Sequence, residues 1–220
     1  MCRFLLVKSK DSLRPEGLLK EFAAMCQRSH APDGDWQGDG WGVAWQINKS
    51  WKIHKSLSPI WEDRDKFSTI PQTNLFVVHA RSVGFPRHKN NLEFNQPYLH
   101  NNLCFVFNGM IRGVKLQRVL DGKIGAQKVF SFLIEEMKEK NAKESLRKLA
   151  QAMLNNSKQV EGMNVGLVSD DNFYILCEYS IHPSYFTLQY YKDETIALVC
   201  SEKIGTYNWE TMNKGEVLVL

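Results

Sequence analysis

The second residue of the sequence is a cysteine, and its position offers chemistry that an internal cysteine lacks. Cys2 directly follows Met1, so removal of the methionine would leave a thiol and a free α-amine on one residue. The usual pKa of an α-amine, about 7.7–8.0, lies close to that of a thiol, about 8.5. The amine can therefore serve as the general base for the nucleophile. A cysteine also stands near a terminus by chance, and Cys2 alone is weak evidence for catalysis.

An arginine at the end of an apolar segment is a second candidate. Arg81 follows Phe76-Val77-Val78-His79-Ala80, and its guanidinium could hold a substrate carboxylate through two parallel hydrogen bonds. A structural ion pair is the commoner role of a lone arginine. For His79, which alternates inward with Val77, we expect a hydrogen-bonded core histidine and not a catalytic one.

The Asn-Gly pair after a second apolar segment is a third candidate. Asn108 and Gly109 follow Leu103–Phe107, and Asn-Gly most often forms a turn. The alternative is an oxyanion hole, in which the Asn108 amide and the Gly109 N–H stabilise a developing negative charge. On the residues alone, the turn is the preferred interpretation.

The remaining motifs favour neither a nucleotide nor a metal. Gly38-Asp39-Gly40-Trp41-Gly42 lacks the spacing and the Lys-Ser/Thr ending of a phosphate loop. Its glycines instead favour close approach of the backbone to another segment or to a ligand. The six histidines show no ligand spacing with cysteines or carboxylates, so we expect neither a metal nor a cofactor.

Strands and helices that could position these residues follow from the hydrophobic periodicity. Strands are predicted at 3–8, 41–47, 51–54, 75–81, 103–107, 164–169, 173–179, 185–191, 195–200 and 216–220, and helices after Pro15 and at 126–140 and 143–154. Residues 84–102 are predicted to form a long polar loop that is functional or disordered. This order predicts layered sheets with outer helices, in one domain over residues 1–220.

Composition excludes several classes of protein. The sequence has 28 Lys and Arg against 24 Asp and Glu, and this small, dispersed excess does not indicate a nucleic-acid partner. No apolar run approaches the roughly 18 residues that span a bilayer, so no membrane partner is expected. Five cysteines without a C-x-x-C pair argue against a disulfide framework. We therefore expect a soluble, cytoplasmic protein.

In combination, the motifs resemble those of the class II glutamine amidotransferases, in particular the small free-standing members. The matching segments are MCRF at 1–4, GDGWGVAW at 38–45, HAR at 79–81, NQPY at 95–98, FNGMI at 107–111, CSEK at 200–203 and GEVL at 215–218. The resemblance covers nearly the whole chain. It implies an α+β fold, a four-layer αββα sandwich of the N-terminal-nucleophile hydrolase type, and a glutaminase half-reaction.

The resemblance also assigns roles to individual residues. Cys2 would be the nucleophile and its freed α-amine the base, with Asn108 and Gly109 as the oxyanion hole. The thiolate would attack the γ-amide, ammonia would leave, and water would resolve a γ-glutamyl thioester. Because 220 residues leave no room for a synthetase or isomerase domain, any ammonia acceptor is expected on a separate protein.

The expected glutamine-binding part departs from the family pattern. The resemblance makes Arg81 the clamp on the substrate α-carboxylate, with Trp41 and Gly40 shaping the same site. Gly125, however, stands where the family usually has an aspartate that pairs with the α-ammonium, and Phe107 stands where a histidine is frequent. A lost charged hydrogen bond of about 1.5–3 kcal/mol corresponds to roughly a ten- to hundredfold loss of affinity.

Three functions therefore remain open from the sequence. The leading one is an amidohydrolase for glutamine or a γ-glutamyl compound, a small-molecule amide. The second is an N-terminal-nucleophile hydrolase for a non-glutamine amide, which Gly125 favours. The third is a catalytically inactive scaffold or binding protein of the same fold, which retention of Met1 would favour because the base would then be missing.

Overall fold

The computed structural model describes residues 1–32, 34 and 36–220, which form two β-sheets and four helices. The strands are β1 (Arg3–Leu13), β2 (Trp41–Ile47), β3 (Ser50–Ser56), β4 (Thr73–Ala80), β5 (Tyr98–His100), β6 (Leu103–Arg112), β7 (Gln159–Ser169), β8 (Asn172–Cys177), β9 (Gln189–Lys192), β10 (Ile196–Cys200), β11 (Glu210–Thr211) and β12 (Glu216–Val219). The helices are α1 (Glu16–Arg28), α2 (Gly125–Glu136), α3 (Ala142–Asn156) and α4 (Pro183–Phe186). No helix in the described ranges has both the length and the apolar character that crossing a bilayer requires.

Each sheet is antiparallel and combines strands that are distant in sequence. The seven-stranded sheet has the order β11-β9-β10-β1-β4-β2-β3, and the five-stranded sheet has the order β12-β8-β7-β6-β5. Strand β1 pairs with both β10 and β4, and Arg3 lies opposite Ala80. This register places the start of the chain beside the end of β4, where two of the candidate residues lie.

Alternating side chains on the strands build the layers. In β1, Leu5 and Val7 pack toward α1, whereas Phe4 and Leu6 pack toward the second sheet, as the two-residue period of a strand requires. Helices α2 and α3 cover the outer face of the second sheet. The result is a helix–sheet–sheet–helix arrangement, which confirms the predicted αββα fold class.

The start of α2 is fixed by a side chain from within the helix. Gln127 Oε1 accepts hydrogen bonds from the backbone N–H groups of Lys123 at 2.7 Å and Ile124 at 3.2 Å. This is the reciprocal half of a capping box. The bonds set the position at which Gly125 begins the helix, one residue earlier than the sequence predicts.

One local prediction was wrong and two were right only in part. Asn108 and Gly109 lie within β6 and form no turn, because β7 pairs with both of them. Residues 84–102 are ordered as two 3₁₀ turns, at Pro86–His88 and Leu92–Phe94, and the short strand β5. The strand predicted at 185–191 is divided between the end of α4 and β9.

Candidate active site

A cavity of about 250 Å³ collects candidate residues from four parts of the chain. Cys2, immediately before β1, and Arg81, immediately after β4, both line it. Gly109 of β6 and Gly125 at the start of α2 line it as well. The fold therefore brings the candidate nucleophile, the candidate clamp and one candidate oxyanion donor to the same cavity.

The Cys2 thiol is half-buried beside the segment that follows Arg81. Its Sγ lies 3.7 Å from the backbone oxygen of Ser82, and the Met1 ammonium donates a 2.6 Å hydrogen bond to Ser82 Oγ. Burial raises the pKa of the Cys2 thiol, although the N-terminal ammonium, the Ser82 contact and Arg81 act in the opposite direction. A thiol with a raised pKa is mostly protonated at neutral pH, so this nucleophile needs a nearby base.

Cys2 differs from the other cysteines in where it lies. Cys26, Cys104, Cys177 and Cys200 are all buried, and burial raises the pKa of each thiol. None of these four lines the cavity. Their burial makes them unreactive core thiols. No cluster of His, Cys, Asp or Glu in the described residues is placed to hold a metal ion.

Arg3 and Tyr185 fix the beginning of β1, a role that the sequence analysis did not assign. The buried Arg3 guanidinium lies 3.7 Å from the centre of the Tyr185 ring and donates to the Tyr185 backbone oxygen and to Ser29 Oγ. The Tyr185 hydroxyl donates to the backbone oxygens of Met1 at 2.8 Å and Cys2 at 3.1 Å. The cysteine is thus held from both its own strand and the neighbourhood of α4.

Arg81 lines the cavity but also holds the neighbouring loop. Its Nη2 donates to the His88 backbone oxygen at 2.8 Å, and its Nη1 donates to Asn95 Oδ1 at 3.0 Å and to the Asn91 backbone oxygen at 3.4 Å. No salt bridge to a carboxylate is found for Arg81 among the described residues. The guanidinium therefore contributes positive charge to the cavity, although Asp39 acts on it from nearby, and burial lowers its pKa.

Trp41 and Gly40 do not line the cavity. Trp41 is fully buried in the core beneath α1, where its Nε1 donates to Asp63 Oδ2 at 3.0 Å. Gly40 has φ +109, and its backbone oxygen accepts a 2.8 Å hydrogen bond from the Arg81 N–H. Gly40 therefore acts on the site through the Arg81 backbone, whereas Trp41 packs in the core without lining the cavity.

Asn108 is buried in the middle of β6 without hydrogen-bond partners for its side chain. Neither Oδ1 nor Nδ2 has a partner in the described part of the chain, which is rare because an unpaired buried amide costs about 1–3 kcal/mol. Asn108 itself is not a lining residue, whereas its neighbours Phe107 and Gly109 are. An unpaired donor next to the cavity is the arrangement that an incoming negative charge could satisfy.

Close packing explains why residue 109 is glycine. A Cβ at Gly109 would overlap the backbone oxygen of Gly162 on β7 and would lie 2.8 Å from the Phe107 ring. The two strands can approach this closely only because residue 109 carries no side chain. The position next to Asn108 is therefore constrained by the backbone itself.

Gln96 and His79 hold the residue before Asn108. Gln96 Oε1 accepts from the Phe107 N–H at 2.6 Å, and its Nε2 donates to the Phe107 oxygen at 3.2 Å. His79 Nε2 lies 3.3 Å from the same oxygen, and burial lowers the pKa of His79 to about 3. His79 is thus a neutral, hydrogen-bonded core histidine, as expected, and Gln96 is a lining residue whose role the sequence analysis missed.

The cavity is completed by α2 and by apolar side chains. Gly125 leaves open space, since a Cβ there would have no atom within 4 Å. Lys128 lines the same part of the cavity, and no Asp or Glu is found among its described lining residues. Most of the lining is apolar, including Val83, Phe85, Met110, Ile111, Val129 and Met153.

No family model and no curated protein matches the sequence. Solved structures do match it. A glutamine aminotransferase class-II domain protein from Silicibacter pomeroyi aligns with a TM-score of 0.63 and 15% identity over 99% of this chain and 94% of that one. A predicted glutamine amidotransferase from Pseudomonas aeruginosa aligns with a TM-score of 0.62 and 12% identity over 99% and 96%.

A larger enzyme matches over part of its length. Glutamine phosphoribosylpyrophosphate amidotransferase from B. subtilis aligns with a TM-score of 0.69 and 13% identity, covering 99% of this chain and 47% of that one. At these identities the likeness concerns the fold. The resemblance drawn from the motifs is confirmed at that level: the chain has the fold of class II glutamine amidotransferase domains.

Proposed function

We propose that the protein is an N-terminal-cysteine amidohydrolase that cleaves a small-molecule amide through a thioester. The observation that carries the proposal is that Cys2 and Gly109 line one cavity, beside the unpaired buried amide of Asn108. A nucleophile and charge-stabilising donors around one space are the parts that acyl transfer needs.

The proposed reaction begins with removal of Met1, which frees the α-amine of Cys2. This amine takes the thiol proton, and the thiolate attacks the amide carbon. The resulting oxyanion accepts hydrogen bonds from the Asn108 amide and the Gly109 N–H. The C–N bond breaks, the leaving nitrogen takes the proton, and water then adds to the thioester to release the acid and regenerate the thiol.

Glutamine or a γ-glutamyl compound is the substrate candidate that the structural neighbours suggest, because one is described as a predicted glutamine amidotransferase and another as a glutamine phosphoribosylpyrophosphate amidotransferase. With such a substrate the leaving group is ammonia, which a separate acceptor protein could use. Arg81, which has no carboxylate partner among the described residues, is the candidate to bind the substrate carboxylate.

The test compares three forms of the chain with γ-glutamyl and pentanoyl 4-nitroanilides as probes. The first form begins at Cys2. The second carries one extra residue before Cys2, and the third carries the substitution Cys2→Ala. We expect 4-nitroaniline release, and an acyl adduct on Cys2 by intact mass, only with the first form. The other two forms should be slower by at least about 1000-fold.

The form with the extra residue is the matched control, because it keeps the thiol and moves the amine away by one residue. Equal acylation of this form would exclude the α-amine as base. Release that persists in the Cys2→Ala variant would overturn the proposed function.

A further inference from the structure

The charges in the cavity are unsuited to a free amino acid. Arg81 and Lys128 supply positive charge, and the described lining residues include no acidic side chain. The N-terminus of α2, the positive end of its dipole, begins at the lining residue Gly125. Asp39, which acts on Arg81 from nearby, is paired with Lys89 and does not line the cavity. A substrate ammonium placed here would lose water without gaining a counter-charge from the lining, which is unfavourable.

The identity of residue 125 is not imposed by the backbone or by packing. Gly125 does not have a positive φ, and a Cβ there would meet nothing within 4 Å. An aspartate could therefore be accommodated, and would even favour the helix start. The missing carboxylate is a property of the cavity and not a requirement of the fold.

The apolar part of the lining offers a different kind of recognition. We call its residues between positions 114 and 153 the helix wall: Val114, Leu120, Ile124, Val129 and Met153, together with Gly125, Ala126 and Lys128. Burying one methylene against apolar side chains is equivalent to about fourfold in affinity. A volume of about 250 Å³ lies just below that of drug-sized ligand sites, so it suits a short chain.

We propose that the cavity selects an amide whose acyl group is a short apolar chain without an ammonium group. This inference rests on the proposed function, because it names the acyl group that Cys2 would receive. The helix wall holds the chain, and the amide carbon lies at Cys2 beside Gly109.

Three 4-nitroanilides with equal backbone length test the proposal: pentanoyl, glutaryl and γ-glutamyl. They differ only in an end carboxylate and an α-ammonium, and all release the same 4-nitroaniline. We expect kcat/KM for γ-glutamyl to be about ten- to hundredfold below that for both pentanoyl and glutaryl, which lack the α-ammonium. Extending pentanoyl to hexanoyl should raise kcat/KM about fourfold.

Two variants at one position separate charge from shape. Gly125→Asp should raise kcat/KM for γ-glutamyl relative to glutaryl about tenfold, whereas Gly125→Asn, which has the same shape without the charge, should not. An equal gain with Asn would overturn the electrostatic argument. Thermal unfolding of both variants checks that each remains folded.

The possible outcomes distinguish this inference from the proposed function. Preference of the wild-type chain for the γ-glutamyl probe, with acylation at Cys2, would overturn the inference and leave the amidohydrolase intact. Absence of any Cys2-dependent release or acyl adduct would overturn both. A lower kcat/KM with γ-glutamyl than with the two probes that lack the ammonium would support both.

Discussion

The two sides of the cavity are built differently. What we call the nucleophile wall consists of the lining residues Cys2, Arg81, Ser82, Gln96 and Gly109, and these are held by hydrogen bonds or by close backbone approach. The helix wall is mainly apolar, and its Gly125 leaves open space. The difference indicates that the chemistry depends on a constrained backbone, whereas the selectivity depends on side chains that can change singly.

The largest expected effect separates two asparagines that face each other across β6 and β7. Asn108 pairs with Asn164 in the strand register, but only Asn164 has side-chain partners, the Phe186 oxygen and the Glu178 N–H. We expect Asn108→Leu to lower kcat about 10²–10³-fold, as the loss of an oxyanion donor does. Its free energy of unfolding should stay equal or rise, because the unpaired amide is gone.

Asn164→Leu is the matched control for that variant. It leaves the Phe186 oxygen and the Glu178 N–H without their partner, so it should lower the free energy of unfolding by about 1–3 kcal/mol. Rates with pentanoyl 4-nitroanilide and urea unfolding measure both variants. If Asn108→Leu were destabilised and its kcat unchanged, Asn108 would be structural and not part of an oxyanion hole.

A second pair of variants compares Gly109 and Gly125, two of the glycines that line the cavity. Gly109→Ala forces a Cβ against the Gly162 oxygen, and such overpacking typically costs about 1–3 kcal/mol. Gly125→Ala meets no atom and should be neutral or stabilising by about 0.5–1 kcal/mol, because alanine favours a helix. Urea unfolding at one pH measures the free energy of unfolding of both variants. Equal changes would contradict the claim that the nucleophile wall is constrained by its backbone and the helix wall is not.

The sequence predicts most of the strands because their alternation is local. Trp41, Val43 and Trp45 are spaced by two residues, and the structure packs them together toward α1. The same spacing could have shown that Trp41 belongs to the core and not to the site. The order of the motifs along the chain, and no single motif, predicted the layered sheets and the class II glutamine amidotransferase fold.

Pairing between strands that are distant in sequence determines the features that local patterns do not predict. The dipeptide Asn108-Gly109 favours a turn locally, but β7 pairs with both residues and continues the strand. The meeting of Cys2, Arg81 and Gly109 depends on β1 lying against β4 and on the stacking of two sheets. Neither contact leaves a periodic signal in the sequence.

A third prediction concerns His79, which contacts the backbone of Phe107 next to the nucleophile wall. The pKa of His79 is lowered by burial to about 3, while an unfolded histidine has a pKa of about 6.5. As the pH falls below 6.5 the unfolded state binds a proton that the folded state does not, so stability is lost between 6.5 and about 3. This corresponds to about 1.4 kcal/mol per pH unit, or about 2 kcal/mol by pH 5.

His79→Gln should remove this part of the acid sensitivity while keeping a donor for the Phe107 oxygen. The measurement is the free energy of unfolding in urea at pH 7, 6 and 5 for both chains. The variant should show the shallower dependence on pH. Parallel curves would mean that the histidine is not held neutral in the folded state.

The smallest expected effect lies at Lys128 on the helix wall. This exposed residue lines the cavity, so its charge can attract an anionic acyl group, but water and salt screen it. Lys128→Gln should lower kcat/KM for glutaryl 4-nitroanilide about two- to fivefold at low salt and leave pentanoyl unchanged. The difference should shrink as salt is added.

Lys123→Gln is the control for Lys128, because Lys123 precedes the same helix but pairs with Glu93 at 2.8 Å and does not line the cavity. Lys123→Gln should leave kcat/KM unchanged for both glutaryl and pentanoyl 4-nitroanilide. A lower kcat/KM for pentanoyl 4-nitroanilide in the Lys128→Gln variant would mean that the lysine contributes through packing of its methylene groups and not through its charge. A lower kcat/KM for glutaryl alone would mean that the charge of Lys128 acts on anionic acyl groups at the edge of the helix wall. Selectivity would then depend on residues other than those that hold the nucleophile.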